Sequence, residues 1–302
     1  MTGEQSGGLD AGSAIVGALR AIADRLATIE SDAVADEPDA VHQLRTTVRR
    51  LRSVLAAYEP LFDESVAEAL RRRYGAFGKE LGIVRDIEVR VNVAERALQE
   101  ADESMEVTAA LRARLVDAEL EAYRLAHTRF AARQRMPRAV ARGVALTALL
   151  DDPPLTSLAA EPAMTVLGDL IEREARRALR RAARVEPSAT SEQLHAVRKA
   201  GRRLRYVAEA VSDEPVALFD ERVQALAAAG ENLHDLLGDH RDEVLFAEHV
   251  RRSAAHAAHA GEPVDALSRL ADAADRRAAA RLSGLPEVVD ELRRAEADWA
   301  SR

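Results

Sequence analysis

The chain has 302 residues, 43 lysines and arginines against 51 aspartates and glutamates, a formal net charge of −8, 47% hydrophobic and 3% aromatic residues. This composition can bury a substantial core, which excludes a disordered chain, and no run of about 18 apolar residues predicts a membrane span. Because cysteine is absent, disulfides, thiolate catalysis, iron–sulfur clusters and cysteine-ligated zinc are excluded. With neither a basic leader nor an apolar signal core in its first residues, we expect a cytosolic protein.

The periodicity of the chain predicts an all-α protein. Alanine, leucine, arginine and glutamate dominate, and prolines stand between periodic segments. In chain order, helices are expected over about 11–31, 38–58, 62–98 and 104–133, followed by a short helix after Pro137. A second set is expected over about 162–185, 190–212, 217–257 and 264–281, with a last turn or two after Pro286.

Two adjacent prolines, Pro153 and Pro154, mark the clearest break, because neither can continue a helix. The predicted organisation is a flexible N-terminus (1–10), a first helical half (11–150), a linker (151–161) and a second helical half (162–302).

The two halves share a pair of motifs. Residues 41–52 read VHQLRTTVRRLR and residues 194–205 read LHAVRKAGRRLR; LGIVRD at 81–86 and LGDHRD at 237–242 follow them. Both motifs occur in the same order with nearly the same spacing, which predicts an internal duplication.

Each copy of the first motif presents a basic row beside an apolar row. With successive helical residues about 100° apart, the basic side chains share an arc of about 80°. They are His42, Arg45, Arg49 and Arg52 in the first copy and His195, Arg198, Arg202 and Arg205 in the second. No acidic residue occurs between Asp39 and Glu59 or between Glu192 and Glu209. The counter-ions of both rows must therefore come from elsewhere.

Two interpretations remain open at this point. The arginines can pair with carboxylates on neighbouring helices, or the rows can bind a polyanion. A row of one sign beside an apolar stripe, in an acidic chain, favours the polyanion. The two histidines lack a second histidine or a carboxylate at the spacing of a helix-borne zinc site, so we predict no metal and no cofactor.

The second motif has a packing interpretation and an anion-contact interpretation. Its glycine can let another helix approach closely, and Asp86 and Asp242 can orient an arginine, while Arg85 and Arg241 enlarge the basic surface. Further arginines, in 122–150 and 173–184, can form a rim or reflect a compositional bias.

Together, H-x-x-R-x-x-x-R-R-L-R followed by L-G-x-x-R-D in each half resembles the conserved histidine α-helical (CHAD) domain, over about residues 11–300. The resemblance implies two four-helix bundles related by a pseudo-two-fold axis, with a central basic surface that binds inorganic polyphosphate. The residues carried over to that surface are His42, Arg45, Arg49, Arg52, His195, Arg198, Lys199, Arg202 and Arg205, with Arg50 and Arg203 off the main arc.

This sequence departs from the family pattern at two places. Gly201 interrupts the second basic helix, and Asp239-His240 puts an acid beside the second LG motif. The E-x-E-x-K signature of the triphosphate tunnel enzymes found in some relatives is missing, so a non-catalytic binding domain is expected. The resemblance also suggests polyphosphate granules as a location.

Three other functions stay open: nucleic-acid binding by the same surface, phosphate hydrolysis or transfer, and a purely structural helical scaffold. The low aromatic content disfavours single-stranded nucleic acid, because few stacking platforms are available. The acid-free basic helices disfavour phosphate chemistry, which generally needs carboxylates to hold Mg²⁺.

Overall fold

Regular structure in this chain is helical. The computed structural model describes residues 8–101, 103–186 and 189–301, and no strand occurs within these ranges. The first half contains α1 (Ala11–Val34), α2 (Ala40–Ala57), α3 (Glu64–Glu100), α4 (Met105–Arg112), α5 (Ala118–Gln134) and α6 (Pro137–Asp151). The second half contains α7 (Ala163–Ala182), α8 (Ser191–Ser212), α9 (Glu221–His259), α10 (Asp265–Leu282) and α11 (Leu285–Ala300). The all-α prediction is confirmed, but the expectation of only a turn or two after Pro286 is wrong, because α11 has 16 residues and buries Val289, Leu292 and Trp299.

Side-chain caps explain where several helices begin. At the start of α1, the Asp10 side chain accepts a hydrogen bond from the Ser13 amide. At the start of α3, the Asp63 side chain accepts one from the Ser65 amide. Thr190 and Gln193 form a reciprocal capping box at the start of α8. Residues 1–7, most of the predicted flexible N-terminus, lie outside the described residues.

One predicted helix is divided. The expected continuous helix over 104–133 contains a π turn at Ala113–Asp117, between α4 and α5. A π turn holds more residues per turn than an α-helix, and no single-residue signal such as proline marks it in the sequence.

The apolar rows of the two repeated helices are buried in one core. Leu44 and Leu51 of α2 and Leu204 of α8 are fully buried, and α2 packs directly against α8. Around this contact, α1 and α3 pack against α2, and α7 and α9 pack against α8. Helices α5 and α6 pack on α1 and α3, and α11 packs on α7 and α9. The main core is continuous across both halves. The internal duplication and the domain boundaries stay predictions.

A second, smaller core lies where the two longest helices extend beyond the main core. The outer ends of α3 and α9 pack with α4, the π turn and α10, burying Val91, Leu115, Phe246, Val250 and Leu270. No helix in the described ranges combines the length and the apolar character needed to cross a membrane.

The predicted linker, 151–161, is folded onto the first half. The Asp63 amide donates to the Pro154 carbonyl at 2.8 Å, and the Thr156 amide donates to the Leu61 carbonyl at 3.0 Å. Leu155 packs beside Gly12 of α1.

Gly201, which was expected to interrupt the second basic helix, lies inside the unbroken helix α8. It faces Gly230 of α9: a Cβ at Gly201 would lie 2.8 Å from the Gly230 carbonyl oxygen, and one at Gly230 would lie 2.7 Å from the Gly201 carbonyl oxygen. The two glycines allow α8 and α9 to approach closely.

Replacing Gly201 by alanine should therefore destabilise the fold, by about 1–3 kcal/mol, because the added methyl group forces two backbones apart. The control is Gly143→Ala in α6, where nothing lies within 4 Å of the added Cβ. That substitution should be neutral or stabilising, by up to about 1 kcal/mol. Urea unfolding of both variants measures the difference, and equal stabilities would contradict the close approach.

Candidate functional site

The two basic rows meet at a cavity between the halves. Helices α2, α3, α8 and α9 enclose about 550 Å³, which we call the basic basin. Its charged and histidine lining residues are His42, Arg45, Arg49, Arg85, Asp86, Arg90, His195, Arg198, Arg202, His234, Asp235, Asp239, Arg241, Asp242 and Arg252. Eight arginines and four aspartates give the basin an excess of positive charge, although the whole chain is acidic.

The glycine of the L-G-x-x-R-D motif makes room for an arginine of the same half. A Cβ at Gly82 would lie 3.8 Å from the guanidinium of Arg45, and a Cβ at Gly238 would lie 3.0 Å from Nη2 of Arg198. The expectation that these glycines admit another helix is wrong: the close neighbour is a guanidinium, since α2 and α8 carry their basic rows against α3 and α9.

The aspartate of this motif acts differently in the two halves. Asp86 accepts a hydrogen bond from Nη1 of Arg45 at 2.7 Å, as expected of a residue that orients an arginine. In the second half, Nε of Arg198 donates to the His234 carbonyl at 3.4 Å. Burial raises the pKa of Asp242, and the nearby positive charge of Arg198 opposes that rise.

Five arginines of the basin have no carboxylate in an ion pair within the described part of the chain. They are Arg49, Arg198, Arg202, Arg241 and Arg252. The Nε atoms of Arg49 and Arg202 are also buried without a hydrogen-bond partner. Burial, and then repulsion from Arg49, lowers the pKa of Arg202 to about 9. Such a cluster is unfavourable by itself and becomes favourable when an anion occupies the basin.

The histidines of the basin are held in their neutral form. Burial, followed by repulsion from Lys199 and Arg241, lowers the pKa of His195 to about 4. The pKa of His234 falls to about 4, again mainly by burial, even though Asp235 favours its charged form. The pKa of His42 is lowered by burial and by Arg85. At neutral pH these rings supply hydrogen bonds, not charge.

Several predicted site residues lie outside the basin lining. Arg50 pairs with Glu209 and Asp213 at 3.3 Å each, Arg203 with the buried Glu174 at 2.8 Å, and Arg205 with Glu209 at 2.6 Å and Glu231 at 2.7 Å. Arg52 lies against Gly75 of α3, and Lys199 is exposed beside His195. Of the two interpretations left open by the sequence, pairing with carboxylates of neighbouring helices therefore applies to Arg50, Arg203 and Arg205.

Sequence analysis missed four charged or titratable groups of the basin: Arg90, His234, Asp235 and Arg252. Arg90 donates to Glu119 at 2.8 Å and 3.0 Å, while Nε2 of His234 lies 3.4 Å from Nη2 of Arg49. A signal for His234 was available, because His234, Gly238 and Arg241 are spaced to share one face of a helix.

The arginines of 122–150 and 173–184 do not line the basin. Arg142 is buried, pairs with Glu30 at 2.6 Å and lies 3.5 Å from the centre of the Phe77 ring. Arg173 donates to the Ala57 carbonyl at 2.9 Å. Both bind the helices of the core together.

Comparison with known proteins identifies related sequences and folds. A family model described as CHAD domain matches residues 17–251. The uncharacterized proteins MT2285 and Rv2226 of two Mycobacterium tuberculosis strains are each 31% identical over 232 residues, which is 76% of this chain and 43% of theirs. The chain thus spans less than half the length of these relatives.

Two solved structures share the fold. PptA from Streptomyces chartreusis is similar with a TM-score of 0.74 and 21% identity, covering 92% of this chain and 99% of its own. The CHAD domain from the plant Ricinus communis is similar with a TM-score of 0.68 and 22% identity, covering 97% and 95%.

The adjacent arginines Arg202 and Arg203 should respond oppositely to substitution. Arg202→Met removes an unpaired, half-buried charge and should stabilise the fold by about 1 kcal/mol. Arg203→Met leaves Glu174, only 3% exposed, without its 2.8 Å partner, and should destabilise the fold by about 3 kcal/mol. Thermal unfolding of both variants is the measurement. A loss of stability in Arg202→Met would mean that this arginine has a structural role.

Stability should fall as the pH falls from about 6.5 to 4. In this window the unfolded chain binds a proton at His234 that the folded chain does not, because the folded pKa is about 4 and the ordinary value is 6.5. The loss from this ring is up to about 3 kcal/mol. His234→Gln should flatten the dependence, whereas His259→Gln, at an exposed ring, should leave it unchanged. Parallel curves for wild type and His234→Gln would contradict this assignment.

Proposed function

Because this chain belongs to the CHAD domain family, we propose that its basic basin binds inorganic polyphosphate without chemical conversion. The observation that carries the proposal is the set of unpaired arginines, Arg49 from one half and Arg198, Arg202, Arg241 and Arg252 from the other, around a single cavity. The family is associated with polyphosphate, and this cluster requires an anion of high charge density.

Each phosphate unit of the polymer carries negative charge, and a guanidinium can donate two parallel hydrogen bonds to its oxygens. Arginines from opposite sides of the basin can therefore bind successive units of one chain. Binding releases condensed counter-ions, so affinity should fall linearly on a log–log scale as salt increases, by analogy with nucleic acids.

The neutral histidines complement this arrangement. The buried Nδ1 of His195 has no hydrogen-bond partner, and a neutral ring can donate to a phosphate oxygen without adding to the repulsion among the arginines. A bound polyanion also favours the protonated ring, so binding near pH 5 should be accompanied by proton uptake.

The polymer is favoured over the alternatives by specific features. The basin offers few aromatic side chains on which nucleic-acid bases can stack. Among the described residues, Phe246 is the one Phe, Tyr or Trp in its lining, and that ring is buried. For phosphate chemistry, no group of three or more His, Cys, Asp or Glu side chains within the described ranges is arranged to hold a metal ion. A cytosolic location and association with polyphosphate granules remain part of the proposal.

Removing the charges of the basin should abolish polyphosphate binding. In the variant with Arg45, Arg49, Arg198 and Arg202 all changed to Gln, we expect at least about 100-fold weaker binding, and a log–log salt slope smaller by about 3. Titration calorimetry measures both, and circular dichroism checks that helicity is retained.

The matched control changes four exposed arginines outside the basin, Arg129, Arg133, Arg135 and Arg180, to Gln. This control changes the net charge by the same amount as the basin variant and should weaken polyphosphate binding no more than a few-fold. Equal losses in the two variants would exclude the basin as the site. If DNA of equal charge displaces polyphosphate from the wild-type protein at equal concentration, a general polyanion-binding function replaces the proposed one.

A further inference from the structure

Helix α9 carries a basic stripe that continues beyond the basic basin. With His234 at zero and about 100° per residue, the stripe occupies an arc of about 80° over six turns. Its members are His234, Gly238, Arg241, Leu245, His249, Arg252 and His256. They are arginines and histidines apart from one glycine and one leucine, and Asp242 and Glu248 each lie about 20° outside the arc.

The far end of this stripe borders a second cavity, of about 630 Å³, which we call the outer cavity. Its lining residues are Ala110, Ala113, Arg114, Ala118, Glu119, His249, Arg252, Ser253 and His256. Arg252 lines both cavities. The π turn forms one wall, and three alanines leave room beside it.

Two lining residues of the outer cavity, Glu119 and Arg114, already have partners of opposite charge. Glu119 accepts two hydrogen bonds from Arg90, and Glu262 pairs with Arg114, whose Nη1 also donates to the Ser253 carbonyl at 3.4 Å. Within the described residues, Arg252 has no ion pair with a carboxylate and is exposed.

His249 adds an available polar atom. Its Nε2 is buried without a hydrogen-bond partner and lies 3.7 Å from Glu119. Together with the exposed ring of His256, this gives the outer cavity two histidine rings beside Arg252, the lining arginine that has no ion pair with a carboxylate among the described residues.

We propose that the outer cavity is a second anion subsite, in which a polyphosphate chain that already occupies the basic basin continues along α9, past Arg252, to His249 and His256. This inference rests on the proposed function and adds a preference for long chains. The stripe from His234 to His256 spans about 33 Å at 1.5 Å per residue, so short phosphates cannot engage both ends. The gain arises because the second contact is intramolecular.

The test introduces two negative charges that touch only the outer cavity. The variant is Ala110→Glu combined with Ala118→Glu; both alanines are exposed on helices, and neither lines the basin. The matched control, Ala280→Glu combined with Ala297→Glu, places the same charges at exposed positions of α10 and α11. Affinities for tripolyphosphate and for long-chain polyphosphate are measured by calorimetry, at one salt concentration.

We expect the outer-cavity variant to bind long-chain polyphosphate about tenfold more weakly than the control variant, with tripolyphosphate affinity within about twofold. Equal long-chain affinities of the two variants, or equal losses for both ligands, would overturn the second subsite and leave the basin proposal intact. If long-chain polyphosphate does not bind the wild-type protein, the proposed function itself fails.

A series of chain lengths on the wild-type protein gives an independent check. Affinity per chain should keep rising until the polymer spans the stripe. A plateau for chains that only fill the basin would overturn the inference without any variant.

Discussion

The packing of α2 against α8 creates the charge arrangement of this molecule. Both helices bury an apolar row in the common core, with Leu44 and Leu204 fully enclosed. Since each basic row adjoins an apolar row, this packing brings two rows of like charge to one cavity. Hydrophobic burial therefore stabilises a geometry that electrostatic repulsion opposes, and arginines such as Arg202 remain charged at a cost that an anion removes.

The presence or absence of a carboxylate partner distinguishes the roles of adjacent arginines on α8. Arg203, next to Arg202 in sequence, has a buried carboxylate partner and connects α8 with Glu174 of α7 and the Ala56 carbonyl of α2. Arg202 faces the basin without one. Arg203 therefore connects the two halves, whereas the charge of Arg202 stays unpaired in the basin. The two side chains differ in this way because adjacent positions on a helix point about 100° apart.

The long helices α3 and α9 extend the surface beyond the junction of the halves. Their outer ends form a separate core with α4 and α10, and the outer cavity lies beside this core at the π turn. Arg252 lines both the outer cavity and the basin. The proposed preference for long polyphosphate chains rests on this continuity, because charge contacts accumulate along a linear polymer.

The sequence by itself determined the helices, their approximate ends and the basic arcs, because helical periodicity and proline positions are local properties. It also identified Asp86 as a partner for an arginine, through the motif of the family. Only the tertiary structure decided which arginines stay unpaired: Arg52 and Arg205 occupy the same motif position, yet Arg52 meets Gly75 and Arg205 meets Glu231. Counter-ions on a neighbouring helix and the outer cavity beside the π turn depend on helix packing, and no spacing within one helix encodes them.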